Sequence, residues 1–234
     1  MLSTPASELD PLRYDGHTDD PCEAAGMLRE ALPTHSKVLD VGCGTGSLTL
    51  VANHNKHNEV IGLEPNAERA AAAADRGLNV VNAELSPELL REHGPFDAII
   101  FADVIEHLPE PEHVLDLAVS GLRPGGLLLA SVPNVAHWSV RANLLIGRWN
   151  YESVGIMDAT HLRWFTAKTV RSLIEQRGLE VLSLRHTAGV DLPCYYRTVF
   201  RRIPRRVLRP CVRFLAGAWP TLFGCQHIVV ARKP

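Results

Sequence analysis

Residues 37–48, KVLDVGCGTGSL, restrict this chain more than any other stretch. Val38, Leu39 and Val41 read as a buried β-strand that runs into Gly42, Gly44 and Gly46, with a helix opening behind them. Glycines at alternate positions let the backbone turn sharply and let a ligand come close, because no Cβ stands in the way. The first turn of the helix offers unpaired N–H groups and the positive end of a dipole to an anionic group. Asp40 places an acid beside the same turn. The stretch therefore suits a ligand with both an anionic and a cationic part.

Around this turn, apolar runs alternate with helical patterns. Strands are expected at 37–41, 59–63, 78–81, 96–101 and 127–132, with helices at 46–57, 66–76, 87–92 and 110–122 between them. The alternation implies right-handed βαβ units and a parallel sheet covered on both faces. An earlier helix is expected at 21–32, with Asp20 as its N-cap and Pro21 in its first turn. After the parallel strands come a helix at 166–177 capped by Thr166, a strand at 179–185 and a closing strand at 226–231. The long connection between those two strands points to antiparallel pairing. In such sheets the ligand lies beyond the carboxyl ends of the strands, where Asp40, Gly42, Glu64, Asn82, Ala83, Asp103 and Pro133 all fall.

A length of 234 residues suits one large domain over 20–234, preceded by a polar, turn-rich segment, 1–19, expected to be mobile. Within that segment Tyr14, Gly16, His17 and Asp19 could line a pocket from above. No run of 18 apolar residues occurs, and the first residues carry early acids and no apolar core of a secretory signal. Five scattered cysteines, an odd number without a CxxC pair, point to a reduced, cytoplasmic protein.

The turn's details separate two cofactor classes. A dinucleotide site wants G-x-G-x-x-G and no negative charge beside the pyrophosphate. Here the spacing is G-x-G-x-G, preceded by Asp40. S-adenosylmethionine carries an ammonium and a sulfonium, and both tolerate that acid. Glu64, 18 residues beyond Gly46, ends the second strand, where a carboxylate can accept both ribose hydroxyls. The cofactor set is thus Asp40, Gly42, Cys43, Gly44 and Gly46 on the first turn, and Glu64 and Pro65 after the second strand. Asn82, Ala83 and Glu84 follow the third, and Asp103 and Val104 the fourth.

The strings VLDVGCGTGSLTL, VIGLEPN, FDAIIFADVIEHLPEP and LRPGGLLLASVPN resemble the class I S-adenosylmethionine-dependent methyltransferases, in that family's order. The resemblance runs from about residue 20 to 186. It implies a Rossmann-like α/β fold with a seven-stranded sheet of order 3-2-1-4-5-7-6, the last strand antiparallel. In many relatives an Asp after strand three receives the adenine amino group; here that place reads Asn82-Ala83-Glu84.

A sulfonium methyl is already activated, so the protein must align an acceptor and, for a hydroxyl, remove or neutralise its proton. Asp103, Glu106 and His107 follow the fourth strand at i, i+3 and i+4, and with His161 they make a mixed oxygen and nitrogen set for a divalent metal such as Mg. This cluster resembles that of small-RNA 2'-O-methyltransferases and ubiquinone-pathway O-methyltransferases, with Asp103 where they have Glu. The metal-free alternative is a base drawn from His161, His107, Asp158 or His137, since an unperturbed imidazole titrates near pH ~6.5. Residues 134–165 interrupt the alternation and read as a lid. The context of His161, GIMDATHLRWFT, resembles methyltransferases of surface-glycan and natural-product systems, which points to a small-molecule or saccharide acceptor. Trp138, Trp149, Tyr151 and Trp164 could stack on such an acceptor or close the lid.

The net charge of −2 conceals a division. From Leu192 onward there are eight Arg, one Lys and no acid, so that segment carries +9 and residues 1–191 carry −11. Residues 191–224 form a basic, aromatic insertion expected to be broken into short helices at Pro204, Pro210 and Pro220. Packing on its own acidic domain or in a homodimer is the first expectation. Contact with a membrane surface or lipid-linked substrate, from Arg197 to Arg213, is the second. Nucleic acid comes last, since no recognition motif is present.

Overall fold

The computed structural model describes residues 10, 12, 14–195 and 199–234. One sheet of seven strands organises it: β1 (Lys37–Val41), β2 (Glu59–Leu63), β3 (Asn79–Val81), β4 (Phe96–Ala102), β5 (Leu122–Pro133), β6 (Glu180–His186) and β7 (Gln226–Arg232). Their order is β3-β2-β1-β4-β5-β7-β6. The first five pair parallel, and β7 runs antiparallel to both β5 and β6, as the resemblance implies.

The centre of the sheet shows why its strands read as continuous apolar runs. On β4, Phe96, Ile99 and Phe101 are fully buried on one side, among residues of α4 (Pro87–His93), α5 (Pro111–Gly121) and α7 (Ala167–Glu175). Ala98 and Ile100 point to the other side, toward α1 (Ala24–Ala31) and α2 (Ser47–Asn53). Each large side chain buried this way contributes about 2–3 kcal/mol of transfer free energy. A further helix, α3 (Ala67–Asp75), packs Ala73 against Cys43 and Leu78 beside the glycine turn. Local chemistry places several helix starts: Asn66, Ser86 and Thr166 each accept a backbone N–H of the first turn, and Thr166 and Thr169 cap one another reciprocally.

Three expectations need correction. Helix α1 begins at Ala24, not at residue 21, because the Asp20-Pro21 turn folds back: a Cβ on Gly26 would lie 2.1 Å from the Asp20 carbonyl oxygen. Strand β5 starts at Leu122, five residues early, and takes Pro124-Gly125-Gly126 in as a register irregularity between Leu122 and Leu127. In the basic segment, α8 (Arg205–Ala218) continues through Pro210, and α9 (Pro220–Phe223) follows. Pro210 is exposed, so the carbonyl it leaves unbonded can face water, while Leu208, Val212 and Ala216 hold the helix to the body.

The insertion after β5 contains α6 (Trp138–Leu145) and is closed at its neck. Asn134 there is fully buried, pairs with Phe165 in an isolated bridge, and donates from its amide to Gly224 and Thr221 carbonyls at 2.8 and 3.2 Å. Of the segment expected to be mobile, residues 1–9, 11 and 13 lie outside the described residues; Tyr14 to His17 are bonded to the domain. Among the described residues, no helix is long and apolar enough to cross a membrane.

Candidate active site

A cavity of about 870 Å³ opens beyond the carboxyl ends of β1, β2 and β4. One wall is the glycine turn. Gly42 and Cys43 both donate to the Leu63 carbonyl, at 2.7 and 3.0 Å, so the turn is hooked onto the end of β2. All three glycines have positive φ, but their surroundings differ. A Cβ at Gly42 would meet Val104 at 2.7 Å, and one at Gly46 would press on Ala73 and Leu78 at 3.3 Å. At Gly44 a Cβ would meet nothing within 4 Å, and this residue borders the cavity. Gly46 caps α2 and does not line it. The sequence reading missed Gly62, where a Cβ would lie 2.7 Å from the Cys43 sulfur that packs over it.

The two acids of this wall are arranged for different partners. Glu64 is buried; its Oε2 accepts from the Gly44 N–H and its Oε1 from the Asn66 N–H, both at 2.9 Å. A carboxylate has about four acceptor sites, so two remain for donors such as paired hydroxyls. Asp40 is 1% exposed; its Oδ2 accepts from Thr49, and its Oδ1 has no partner among the described residues. Burial, and secondarily the charge of Glu64, push its carboxyl up to about 7. An orphaned buried carboxylate oxygen beside an open glycine fits the cationic part of S-adenosylmethionine. Pro65, Ala83 and Glu84 also line the cavity. Asn82 does not: its amide donates to the Glu64 and Pro65 carbonyls at 2.8 and 3.0 Å and props the loop instead.

A strap from the N-terminal segment crosses the rim. The Tyr14 hydroxyl donates to Asp158 at 2.6 Å and accepts from the Gly155 N–H at 3.0 Å. Asp15 pairs with Arg76, whose hydrogen bonds hold its carboxyl down to about 2, and His17 N–H donates to Ser47 at 3.1 Å. The strap thus ties the glycine turn to the 155–158 loop. Tyr14→Phe removes one end of that tie, and calorimetry on the variant is expected to show cofactor affinity lower by roughly tenfold.

The far wall differs from expectation in its membership. Asp103, at φ 54, turns its carboxylate to the Gln226 amide, which donates to both oxygens at 2.7 and 2.8 Å. Burial raises its carboxyl to about 6 against those bonds. Ligand atoms of Glu106, His107 and His161 lie within 4.8 Å of one another, and Asp103 is outside that group. The three are assembled by contacts between the Ile105–His107 turn and the lid. Leu162 and Arg163 N–H groups donate to the Glu106 carbonyl at 2.8 and 3.0 Å. The His107 and His161 rings meet edge to face at 4.8 Å between centroids. His107 Nδ1 lies 3.1 Å from the Thr160 carbonyl and His161 Nδ1 3.1 Å from that of Ile156. Only an N–H can satisfy a carbonyl, so each ring carries a proton on Nδ1, and in the neutral ring the lone pair is then on Nε2. The Glu106 carboxylate is 1% exposed, and neither oxygen has a hydrogen-bond partner among the described residues. Burial first, then Asp103 and Asp158, raise its pKa well above the usual carboxylate range.

Two candidates for a base sit elsewhere. His137 is fully buried at the start of α6, bonded to Ser139 at 2.8 Å and 3.4 Å from the Tyr195 hydroxyl, and does not border the cavity. Burial lowers it to about 4. Asp158 holds the loop, accepting from the Thr160 N–H and hydroxyl at 2.8 and 2.6 Å as well as from Tyr14. The lid aromatics pack on each other, Trp149 on Trp164 at 5.4 Å and Trp138 on Phe200 at 5.6 Å, and none of them borders the cavity. Gln226 was missed altogether. It is 123 residues from Asp103, and no local pattern marks the pairing.

A methyltransferase-domain family matches residues 15–184. A ubiquinone biosynthesis O-methyltransferase of Cupriavidus pinatubonensis is 28% identical over 216 residues, 85% of this chain and 82% of that protein. One of Xylella fastidiosa is 36% identical over 136 residues, 56% of this chain and 51% of that relative, so the second match spans about half its length. Among solved structures, a SAM-dependent methyltransferase from Archaeoglobus fulgidus superposes with a TM-score of 0.60 at 21% identity, covering 89% of this chain and 92% of that one. A cyclopropane synthase from Mycobacterium tuberculosis reaches 0.60 at 15% identity, covering 89% and 82%. These two show a shared fold. With the family matched over most of its length and the glycine turn, Asp40 and Glu64 at the ends of adjacent strands, the chain belongs to the methyltransferase-domain family and is an S-adenosylmethionine-dependent enzyme of class I fold.

Proposed function

We propose that the protein methylates a hydroxyl of a small, largely apolar acceptor, with Glu106, His107 and His161 holding a divalent cation at the acceptor end of the cavity. The observation that carries this reading is the Glu106 carboxylate, buried with no hydrogen-bond partner among the described residues and grouped with two imidazoles whose Nδ1 protons are tied to carbonyls. An unpaired buried carboxylate is costly, and a cation relieves it. With Asp103 committed to Gln226, the donor set is one carboxylate and two imidazoles. That chemistry favours first-row transition ions over Mg, the ion suggested by an oxygen-rich set.

When bound, such an ion lowers the pKa of a coordinated hydroxyl, and S-adenosylmethionine supplies a methyl group on sulfonium. The chain's own residues do the remainder. Asp40 holds the cationic part of the donor, Glu64 accepts hydroxyls, and Tyr14 and the 155–158 loop narrow the mouth against water. Leu85, Val104, Leu108, Val114 and Ile156 give the cavity apolar walls. These walls, the O-methyltransferase names of the relatives, and the packing of Trp138, Trp149, Tyr151 and Trp164 outside the lining support a phenol-like acceptor over a saccharide.

The test is methyl transfer from labelled S-adenosylmethionine to matched panels of phenols and sugars, after chelator treatment and re-addition of single ions. Phenol methylation is expected to drop at least roughly tenfold on chelation and to return with Mn, Co or Zn more fully than with Mg. Activity indifferent to chelation would remove the metal and leave His161 as the base. A preference for sugars would overturn the acceptor class.

A further inference from the structure

We propose that α8 and the turn before it dock this enzyme on an anionic lipid bilayer. The inference is independent of the acceptor and of the metal. Helix α8 has two working faces. Leu208, Val212 and Ala216 are buried against the body, in one cluster with Tyr195, Ala188 and Val190. The opposite side carries Val207, Pro210, Phe214 and Ala218, which recur at helical spacing and are all exposed. Phe214 is 72% exposed and Val207 48%, with Ile203 at 39% before the helix and Trp219 at 58% after it. A water-facing helix with no acceptor for this stripe would be expected to carry polar residues there.

Five of the arginines fall into two groups. Arg209 pairs with Asp191 at 3.1 Å and Arg213 pairs with Asp20, so these two fasten the helix to the acidic body. Arg201, Arg202 and Arg206 are exposed and have no acidic partner among the described residues. No Asp or Glu occurs anywhere from Leu192 to the end of the sequence. The unpaired cations therefore sit beside an apolar stripe that faces away from the protein. A bilayer with anionic headgroups satisfies both features at once: guanidinium groups pair with phosphates while Phe214, Val207 and Trp219 enter the boundary with the acyl chains. A nucleic acid would use the arginines but leave the apolar stripe in water.

The experiment is flotation of the full-length protein with phosphatidylcholine vesicles, alone or containing about one-third phosphatidylglycerol. Binding is expected to the anionic vesicles, to weaken with salt, and to be negligible on phosphatidylcholine alone. The triple change Arg201→Ala, Arg202→Ala, Arg206→Ala is expected to weaken it on the order of a hundredfold, and Phe214→Ala by roughly tenfold. These side chains are exposed, and unchanged melting and cofactor binding in the variants would show that folding is intact. A blue shift of tryptophan emission on vesicle addition, lost in Trp219→Phe, would place the helix end in the interface. The proposal is overturned if anionic vesicles are not bound, or if the triple variant binds them equally well. Salt-sensitive binding of duplex DNA or RNA in their place, or a dimer that Phe214→Ala dissociates, would overturn it as well.

Discussion

Asp40→Asn is expected to weaken S-adenosylmethionine binding by about a hundredfold or more while raising the melting temperature of the unliganded protein. Removing one member of a buried ion pair costs a few kcal/mol, and the Asp40 Oδ1 is the atom placed to meet the ligand's cationic part. Without ligand the same carboxylate is a burden, since burial raises its pKa from 3.8 to about 7. A folded-state pKa above the unfolded one means the native state binds the extra proton. Asp40 therefore detracts least from stability below about pH 4, and increasingly as pH climbs to about 7. Asn keeps an acceptor for Thr49 and carries no charge, so the gain should be roughly 1–2 kcal/mol at neutral pH, a few degrees of melting temperature in a protein of this size. The difference between variant and wild type should shrink as pH is lowered from 7 to 4. Cofactor affinity of the wild type should improve as pH rises through about 7, and that dependence should be flat in the variant. Isothermal calorimetry and thermal melts across this range check both halves. An Asn variant that binds the cofactor normally would end the assignment of Asp40 to the cation.

His161→Ala is expected to lower turnover by on the order of 10²–10⁴ with S-adenosylmethionine affinity held within about threefold. His161 lines the cavity from the lid and makes no hydrogen bond to Gly44, Asp40 or Glu64 that the donor wall depends on; its ring is held by the Ile156 carbonyl and by the edge of His107. Whether it takes the acceptor's proton or ligates an ion, the loss falls on chemistry and not on donor binding. Single-turnover rates at saturating donor, set beside a calorimetric titration, separate the two. Loss of donor affinity in step with turnover would make His161 a structural member of the lid. His137→Ala offers the contrast. It is expected to act through stability, because its imidazole is packed with Ser139 and Tyr195 away from the cavity.

The residues that could be read in advance share one property: their reason is local. The glycine spacing, Asp40 at a strand end and Glu64 at the next follow from what a sharp strand-to-helix turn needs. The alternation of apolar runs and helical patterns led to the sheet, and Thr166 marked a helix start through its own side-chain chemistry. Even there, the glycines looked equivalent along the chain and are not. Gly42 and Gly44 border the ligand space, Gly42 making room for Val104 as well, while Gly46 only makes room for Ala73 and Leu78.

What the chain by itself determined is the donor half of the site and the sheet that presents it, because both depend on residues a few positions apart. The acceptor half was decided by tertiary contacts. Asp103, Glu106 and His107 are neighbours in sequence, yet a φ of 54 and a glutamine from the last strand turn Asp103 away from the other two. His161 joins Glu106 and His107 through lid contacts: the Leu162 and Arg163 N–H groups hold the Glu106 carbonyl, and the Thr160 carbonyl holds His107. Asp158 and His137, both polar lid residues, become a loop fastener and a core group through partners more than 50 residues distant. Spacing along a helix or strand is carried by backbone geometry, but which of several acids loses its charge to a distant amide depends on packing, and no short pattern encodes it.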